Sequence, residues 1–160
     1  MLHVSPLCDK TQGAFEKLFT EYYRELDCGE DVPHLLDEYI IPDVKAGLIR
    51  IELLKDGETD AGFIIYQTDD IGNDWNLREG WGDVREIYVI PSLRRKGYGK
   101  FLLYTAEMKL REGGTDKAYC LPAEGCEQFF TACGYKRGNL YNEDLDCFVY
   151  EKTDLSNKCK

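Results

Sequence analysis

Three consecutive cations and two closely spaced glycines follow an apolar segment in the second half of the chain. The apolar segment is Ile87–Ile90, and a segment of helical periodicity follows the glycines. N–H groups at the start of a helix have no intrahelical partner, and the helix dipole adds partial positive charge there. Gly97 and Gly99 carry no side chain, so a ligand can approach the backbone closely. The pattern predicts a pyrophosphate site. Its full charges come from Arg94, Arg95, Lys96 and Lys100.

Two common phosphate-binding motifs are excluded at this position. The chain contains no G-x-x-x-x-G-K-[ST] string, so a P-loop is absent from the sequence. A dinucleotide-binding fingerprint would need its first glycine at position 95, which is Arg95. The alternative to a phosphate site is a basic loop followed by an ordinary core helix.

The elements that position this stretch follow from hydrophobic periodicity and turn residues. Their predicted order is β-α-α-β-β-β-α-β-α-β-β, with a crossover helix between Ile90 and Lys117. A crossover helix permits a parallel neighbour while hairpins give antiparallel pairs, so we expect a mixed α/β sheet. We predict one domain over residues 1–160, with its core at about 3–152. The predicted strands are 3–7, 48–54, 61–68, 83–90, 117–121, 135–137 and 145–152; the predicted helices are 10–27 with Asp9 as N-cap, 32–44 disturbed by Pro42, 99–112 and 124–133.

Composition narrows the classes of function. The formal net charge of -10 argues against a nucleic-acid partner, since binding to phosphate backbones depends on Lys and Arg. An acidic surface attracts cations and so favours an amine substrate, although the charge could serve solubility alone. The seven cysteines and two histidines form no close pairs of the kind zinc requires, so we expect no metal.

The same composition suggests a location. The first ten residues lack the basic and apolar regions of a leader peptide, and no apolar run approaches the length of a membrane span. We therefore expect no membrane association, reduced thiols and a cytoplasmic protein. The sequence leaves a monomer or a homodimer open.

At this point the chain resembles the GCN5-related N-acetyltransferases. Ile87–Pro91 followed by Arg94-x-x-Gly97-x-Gly99 looks like the acetyl-CoA-binding motif of that family, and Phe129–Tyr135 looks like the signature of its last helix. The order of elements is also similar over nearly the whole chain. The resemblance implies a mostly antiparallel central sheet of six to seven strands flanked by about four helices.

The resemblance implies direct transfer of an acetyl group from acetyl-CoA, a cosubstrate, to a primary amine of a small molecule or peptide. Backbone N–H groups from Arg95 through Tyr98 to Lys100 would hold the pyrophosphate. The strand at Ile87, Tyr88 and Val89 would pair with the pantetheine arm. The N–H group of Ile87 is the closest match to the one that polarises the thioester carbonyl in the family.

An ammonium group cannot attack a thioester, so a base must take its proton. The family often places an acidic residue on the strand before the motif, and two candidates lie there, Asp83 and Glu86. Side chains alternate along a strand, so the two carboxylates are expected on opposite faces. Either residue could instead be an ordinary strand residue paired with Arg85, and the sequence leaves the choice open.

The general acid and the acceptor site are less defined. Family members often use a tyrosine of the last helix to protonate the leaving thiolate, but Phe130 occupies that position, and Ala123 replaces the usual Asn. Tyr119, Tyr135 or Tyr141 could act through a water molecule, or the thiolate could leave unaided.

For the acceptor, Tyr22 of the first helix and Trp75 of a polar loop are candidates, because aromatic faces attract cations.

Two alternative functions share these residues. A non-catalytic acyl-CoA-binding module would use the same site for sensing or regulation, and the missing tyrosine favours it. An interaction domain whose basic turn binds another phosphorylated ligand is the third hypothesis.

Overall fold

A computed structural model describes residues 1–73 and 76–156. Within them the chain forms strands and helices in the predicted order. The strands are β1 Leu2–Pro6, β2 Arg50–Asp56, β3 Thr59–Thr68, β4 Gly82–Val89, β5 Ala118–Cys120, β6 Lys136–Asn142 and β7 Cys147–Lys152. The helices are α1 Gln12–Leu26, α2 Val32–Leu35, α3 Ile41–Lys45, α4 Tyr98–Glu112 and α5 Glu127–Ala132, with a π-helical turn at Leu36–Ile40 and a 3₁₀ turn at Pro91–Leu93.

The seven strands form one sheet in the order β1-β2-β3-β4-β5-β7-β6. β1 pairs with β2, β5 with β7 and β6 with β7 in antiparallel registers. β4 and β5 are parallel, with Asp83 opposite Tyr119. A parallel pair needs a long crossover, which α4 supplies. The predicted fold class, a mixed and mostly antiparallel sheet with helices in four segments, is confirmed.

The chain divides into two compact units. The first comprises Met1–Ile65 and Glu86–Leu102, and the second comprises the described residues of Tyr66–Arg85 and Leu103–Lys160. Aromatic side chains of α1 dominate the core of the first unit: the Phe15 ring lies 5.2 Å from that of Phe63, which lies 5.9 Å from that of Tyr88. The prediction of one domain over residues 1–160 stays a prediction.

The second unit contains a buried charged cluster. Lys152 and Glu107 are 3% and 1% exposed, and the Lys152 Nζ donates to both Glu107 carboxylate oxygens, at 2.8 and 3.2 Å. The Tyr135 hydroxyl donates to the same carboxylate at 3.1 Å. Burial raises the pKa of Glu107, and the hydrogen bonds from Lys152 and Tyr135 oppose this shift. The cluster ties α4 to β7.

Two predicted helices differ from the structure in detail, for local reasons. Asp9 does not cap α1; Thr11 is the N-cap, and its hydroxyl exchanges hydrogen bonds with the backbone of Cys8. The predicted helix 32–44 is divided by the π-helical turn, in which the Ile41 N–H donates to the Leu36 carbonyl. Pro42 has no N–H to continue the ordinary ladder, so the chain restarts with Pro42 in the first turn of α3.

The sequence also led us to expect reduced thiols, no membrane span and no metal site. Cys8, Cys28, Cys120, Cys126 and Cys147 carry thiols, whereas Cys133 is disulfide-bonded, so the expectation of reduced thiols is wrong for Cys133. Among residues 1–73 and 76–156, no helix has the length and apolar character of a membrane span. The same residues hold no cluster of three or more His, Cys, Asp or Glu side chains suited to a metal ion.

Replacing Lys152 by Ala should lower the free energy of unfolding by about 3–5 kcal/mol, because it leaves the Glu107 carboxylate buried without its cation. Urea denaturation would measure the change. Lys136→Ala, on an exposed position of β6, should stay within about 0.5 kcal/mol of the parent protein. A Lys152→Ala variant as stable as that control would contradict a structural role for the cluster.

Candidate functional site

Two residues of the turn between β4 and α4 have left-handed backbone conformations. Arg94 is extended, while Arg95 and Gly97 are left-handed, with φ values of 66° and 86°. The Phe101 N–H donates to the Gly97 carbonyl at 3.1 Å, which makes this the first bond of α4. The N–H groups of Tyr98 and Gly99 therefore precede the helical ladder and have no intrahelical carbonyl. N–H groups at such a helix N-terminus can hold an anion.

Space above this turn is open to a ligand. A Cβ atom built at Gly97 would meet no other atom within 4 Å. Arg95 and Lys96 are exposed, and within residues 1–73 and 76–156 their side chains form no hydrogen bond or ion pair. Helix N-termini attract anions through their N–H groups and dipole. The predicted phosphate cradle thus has an exposed backbone and two cations available to a ligand.

Two predicted cofactor-binding side chains have other partners within the protein. The Arg94 guanidinium donates to both carboxylate oxygens of Glu25, at 2.7 Å each, and its Nε donates to the Val89 carbonyl at 2.8 Å. The Tyr98 hydroxyl donates to Asp56 Oδ2 at 2.6 Å. This hydrogen bond is the largest cause lowering the pKa of Asp56. Both side chains hold the turn in place.

β4 is held close to β3 by a glycine that the sequence analysis did not identify. A Cβ atom at Gly62 would collide with the backbone carbonyl oxygen of Tyr88. Tyr88 and Val89 are buried, at 5% and 9% exposure, and Ile87 is half-buried. The close approach fixes the backbone of the strand predicted to pair with a pantetheine arm. The only sequence signal for it was a glycine inside an apolar strand, which often marks such contacts.

Glu86, one of the two base candidates, lies against the last turns of α1. The Tyr23 hydroxyl donates to Glu86 Oε1 at 2.6 Å. Burial and then the Glu86 charge raise the pKa of Tyr23, so the phenol stays protonated and continues to donate. Tyr22, the acceptor candidate, packs its ring 5.1 Å from Tyr23 and 5.5 Å from Tyr88. The structure thus places Glu86 and Tyr22 in one aromatic and acidic cluster.

Asp83, the other base candidate, belongs to a buried polar network in the second unit. Burial is the largest cause raising the pKa of Tyr119, followed by the charge of Asp83 and hydrogen bonds with Asp69 and Asp83. Asp83 and Asp69 are 7% and 2% exposed. Asp69 also accepts from Gln67 Nε2 at 2.9 Å. Asp83 therefore shares its partner with a structural carboxylate.

Asp69 also organises the loop that follows β3. Its Oδ2 accepts from the N–H groups of Leu77 and Arg78, at 3.0 and 2.8 Å. Its own N–H and carbonyl pair with Trp81 and Gly80, at 2.8 Å each. Sequence reasoning missed this residue, because nothing marks one Asp of an acidic loop as the buried one. The acceptor candidate Trp75 lies outside the described residues.

The tyrosines considered as general acids have carboxylate partners. Tyr119 donates to Asp69, Tyr135 to Glu107 and Tyr141 to Asp146. Burial raises the pKa of Tyr119 and of Tyr135. Phe130 is 5% exposed and packs its ring 5.5 Å from that of Tyr135, so Phe130 lies in a packed position. Tyr141 lines a cavity of about 330 Å³ with Arg137 and Tyr150.

Several solved structures that share this fold are described as acetyltransferases. A PaiA N-acetyltransferase from Thermoplasma acidophilum, in complex with coenzyme A, is 15% identical over 96% of this chain and 99% of that chain, with a TM-score of 0.70. A GNAT family acetyltransferase from Staphylococcus aureus is 13% identical over 97% and 99%, with a TM-score of 0.74. One from Brucella melitensis, in complex with acetyl-CoA, is 18% identical over 85% and 83%, with a TM-score of 0.65. At these identities the likeness is one of fold.

The sequence itself identifies the family. The pattern of the acetyltransferase (GNAT) family matches residues 13–135, which include α1, β4 and the turn that opens α4. The chain belongs to the GNAT family of acetyltransferases, as its motifs predicted. No curated protein matches the chain as a relative.

Gly62→Ala should destabilise the protein by about 1–3 kcal/mol, because its Cβ atom must displace the backbone of β4. Gly13→Ala is the matched control, since the exposed Gly13 in α1 has open space for a Cβ atom. That control should be neutral or stabilising by up to about 1 kcal/mol. Urea unfolding compares the two, and equal stability would show that β3 and β4 are not in this close contact.

Proposed function

We propose that this protein transfers an acetyl group from acetyl-CoA to a primary amine of a small molecule or a peptide. The observation that carries the proposal is the turn before α4, where left-handed Gly97 and the first helical N–H groups leave an open, positively charged cradle. Family membership and the coenzyme-bound complexes of two structural neighbours support it.

The residues present fit the diphosphate of coenzyme A. The N–H groups between Arg95 and Lys100 would hold it, with the charges of Arg95 and Lys96 at the same turn. Ile87, Tyr88 and Val89 would offer strand backbone to the pantetheine arm. When bound, the cosubstrate supplies an acetyl thioester, which is activated for attack by an amine. The N–H group of Ile87 would stabilise negative charge developing on the thioester oxygen.

Glu86 is the better supported of the two base candidates. Its carboxylate is held by the Tyr23 hydroxyl, and the Tyr22 ring packs on that of Tyr23, whereas Asp83 is tied into the network of Tyr119 and Asp69. In the proposed reaction Glu86 accepts a proton from the ammonium group, directly or through water. The nitrogen–carbon bond then forms, the nitrogen loses its second proton to solvent, the carbon–sulfur bond breaks, and the thiolate takes a proton from solvent.

An amine acceptor agrees with the charge of the site and of the chain. Acidic residues exceed basic ones, 30 to 20, and Glu21, Glu25 and Glu86 lie on or beside the end of α1. Aromatic faces such as that of Tyr22 attract cations, and carboxylates add to that attraction. A cytoplasmic location, and a monomer or homodimer, stay predictions from the sequence.

One observation favours the alternative function, a non-catalytic acyl-CoA-binding module. Phe130 has no hydroxyl, and Tyr119 and Tyr135 are both buried with carboxylate partners. Neither of these two tyrosines is free to protonate a thiolate. The transferase hypothesis holds without a tyrosine donor if the thiolate leaves unprotonated. A non-catalytic module needs no proton donor.

Thiol release and calorimetry together separate the hypotheses. Free thiol would be followed with acetyl-CoA and a panel of amines, while CoA binding is measured by titration calorimetry. Binding with turnover supports the transferase, and binding without turnover across a broad panel supports the module. Absence of CoA binding would overturn both and favour another phosphorylated ligand.

Gly97→Glu should weaken CoA binding by about 100-fold or more, since a carboxylate would face the diphosphate at the turn. Gly97→Ala is the matched control, because it adds only the backbone strain of a left-handed residue, about 1–2 kcal/mol. Calorimetry with CoA measures both. Equal affinities for the two variants would argue against a diphosphate at this turn.

Glu86→Gln should lower kcat/KM by about 10²-fold or more and remove the rise of kcat/KM with pH that reports a free-enzyme base. The profile is best measured with an amine whose own pKa lies outside the range scanned. Asp83→Asn, its control, should keep that rise, although its network makes the variant less stable. The opposite pattern would assign the base to Asp83.

A further inference from the structure

Arg94 makes three kinds of contact through one planar guanidinium group. Two nitrogens donate to the two oxygens of Glu25, the third donates to the Val89 carbonyl, and the group lies 5.5 Å from the centre of the Tyr88 ring. Paired parallel hydrogen bonds of this kind fix orientation as well as distance. The hydrogen bond from Arg94 is the largest cause lowering the pKa of Glu25, which agrees with an ionised pair.

These contacts connect two segments that the proposed function uses differently. Glu25 lies in the last turn of α1, within three residues of Tyr22 and Tyr23. Val89 is the last residue of β4, and Arg94 begins the turn that precedes α4. Tyr23 in turn donates to Glu86 of β4. The helix with the acceptor candidate is therefore linked to the phosphate cradle through Arg94 and Glu25.

We propose that Arg94 is a positioning residue, which joins the last turn of α1 to the start of the cradle so that the cofactor site and the Tyr22–Tyr23 end of α1 are set together. The inference rests on the proposed function and adds a coupling between its two substrate sites. It also assigns Glu25 a role in coenzyme binding that needs no contact with the coenzyme.

The hydrogen bonds of Arg94 distinguish this positioning role from direct binding of a phosphate group. An arginine has five N–H donors, and three nitrogens of Arg94 already donate within the protein. Arg95 and Lys96 follow directly on the exposed turn and are better placed to supply charge. Glu25 and Arg94 are 45% and 39% exposed, so the energy of the pair is modest, and its effect should be on geometry.

A double-mutant cycle tests the proposal. Glu25→Gln and Arg94→Gln should each weaken CoA binding by about fivefold, the lower end of couplings between sites. The double variant should bind CoA no more weakly than Arg94→Gln alone, because Glu25→Gln removes only a contact that Arg94→Gln has already broken. Arg94→Lys should behave like Arg94→Gln, since lysine keeps the charge and loses the planar fork.

Different results are expected if the Arg94 side chain contacts the diphosphate directly. If Arg94 gripped the diphosphate, Glu25→Gln would leave CoA affinity unchanged or improve it, and Arg94→Lys would retain most of the affinity. Arg95→Gln is the matched control in the same turn, and its loss of affinity should add to that of Glu25→Gln. Additive losses for Glu25 and Arg94 would overturn the proposal.

A second measurement does not depend on CoA. In the ligand-free protein, Glu25→Gln should shift the backbone amide resonances of Arg95 and Gly97, and Arg94→Gln should shift those of Tyr22 and Tyr23. Unchanged resonances of these amides in both variants would overturn the proposed coupling. If the parent protein binds no CoA but the two variants show these shifts, the proposed function is overturned and the link between α1 and the turn is retained.

In the enzyme, the coupling predicts how the kinetic constants divide. Glu25→Gln should raise the KM for the amine as well as that for acetyl-CoA, because α1 carries Tyr22. Arg95→Gln should raise the KM for acetyl-CoA alone. An unchanged amine KM in Glu25→Gln would contradict the positioning role.

Discussion

The first N–H groups of α4 have no carbonyl partner within the helix, and the turn before them leaves open space at Gly97. Arg95 and Gly97 of that turn adopt left-handed conformations. Arg94 and Tyr98, on either side of the turn, are held from within the protein by Glu25 and Asp56. A rigid, exposed backbone is what anion binding at a helix N-terminus requires.

Tyrosine hydroxyls satisfy carboxylates throughout this acidic protein. With 30 acidic and 20 basic residues, cations are too few to pair with every carboxylate. A phenol donates a hydrogen bond without adding charge, so it can satisfy a buried carboxylate at a lower desolvation cost than a second ion. The consequence is chemical, because a tyrosine committed to a carboxylate is a poor proton donor to a thiolate. The pairs are Tyr23 with Glu86, Tyr98 with Asp56, Tyr119 with Asp69 and Tyr135 with Glu107.

Most of the fold could be predicted from local patterns. The strand that ends before Pro91 and the helix that ends before Gly113 lie within one or two residues of their predicted bounds, because Pro and Gly interrupt regular structure sharply. The helical segment at 32–44 and its disturbance near Pro42 were predicted, but its division by a π-helical turn was not, since periodicity cannot tell a kink from such a turn. Thr11, not Asp9, is the N-cap residue of α1, and its hydroxyl bonds to the backbone of Cys8 and not to the helix.

The sequence by itself determined the family and predicted a cradle between a strand and a helix, since both depend on glycines, cations and their spacing along the chain. Only the tertiary structure decided what individual side chains do there. It directed Arg94 to Glu25, 69 residues away in the chain, and Tyr23 to Glu86, 63 residues away. Partners so distant leave no periodic signal, because the fold alone brings them within the reach of a hydrogen bond.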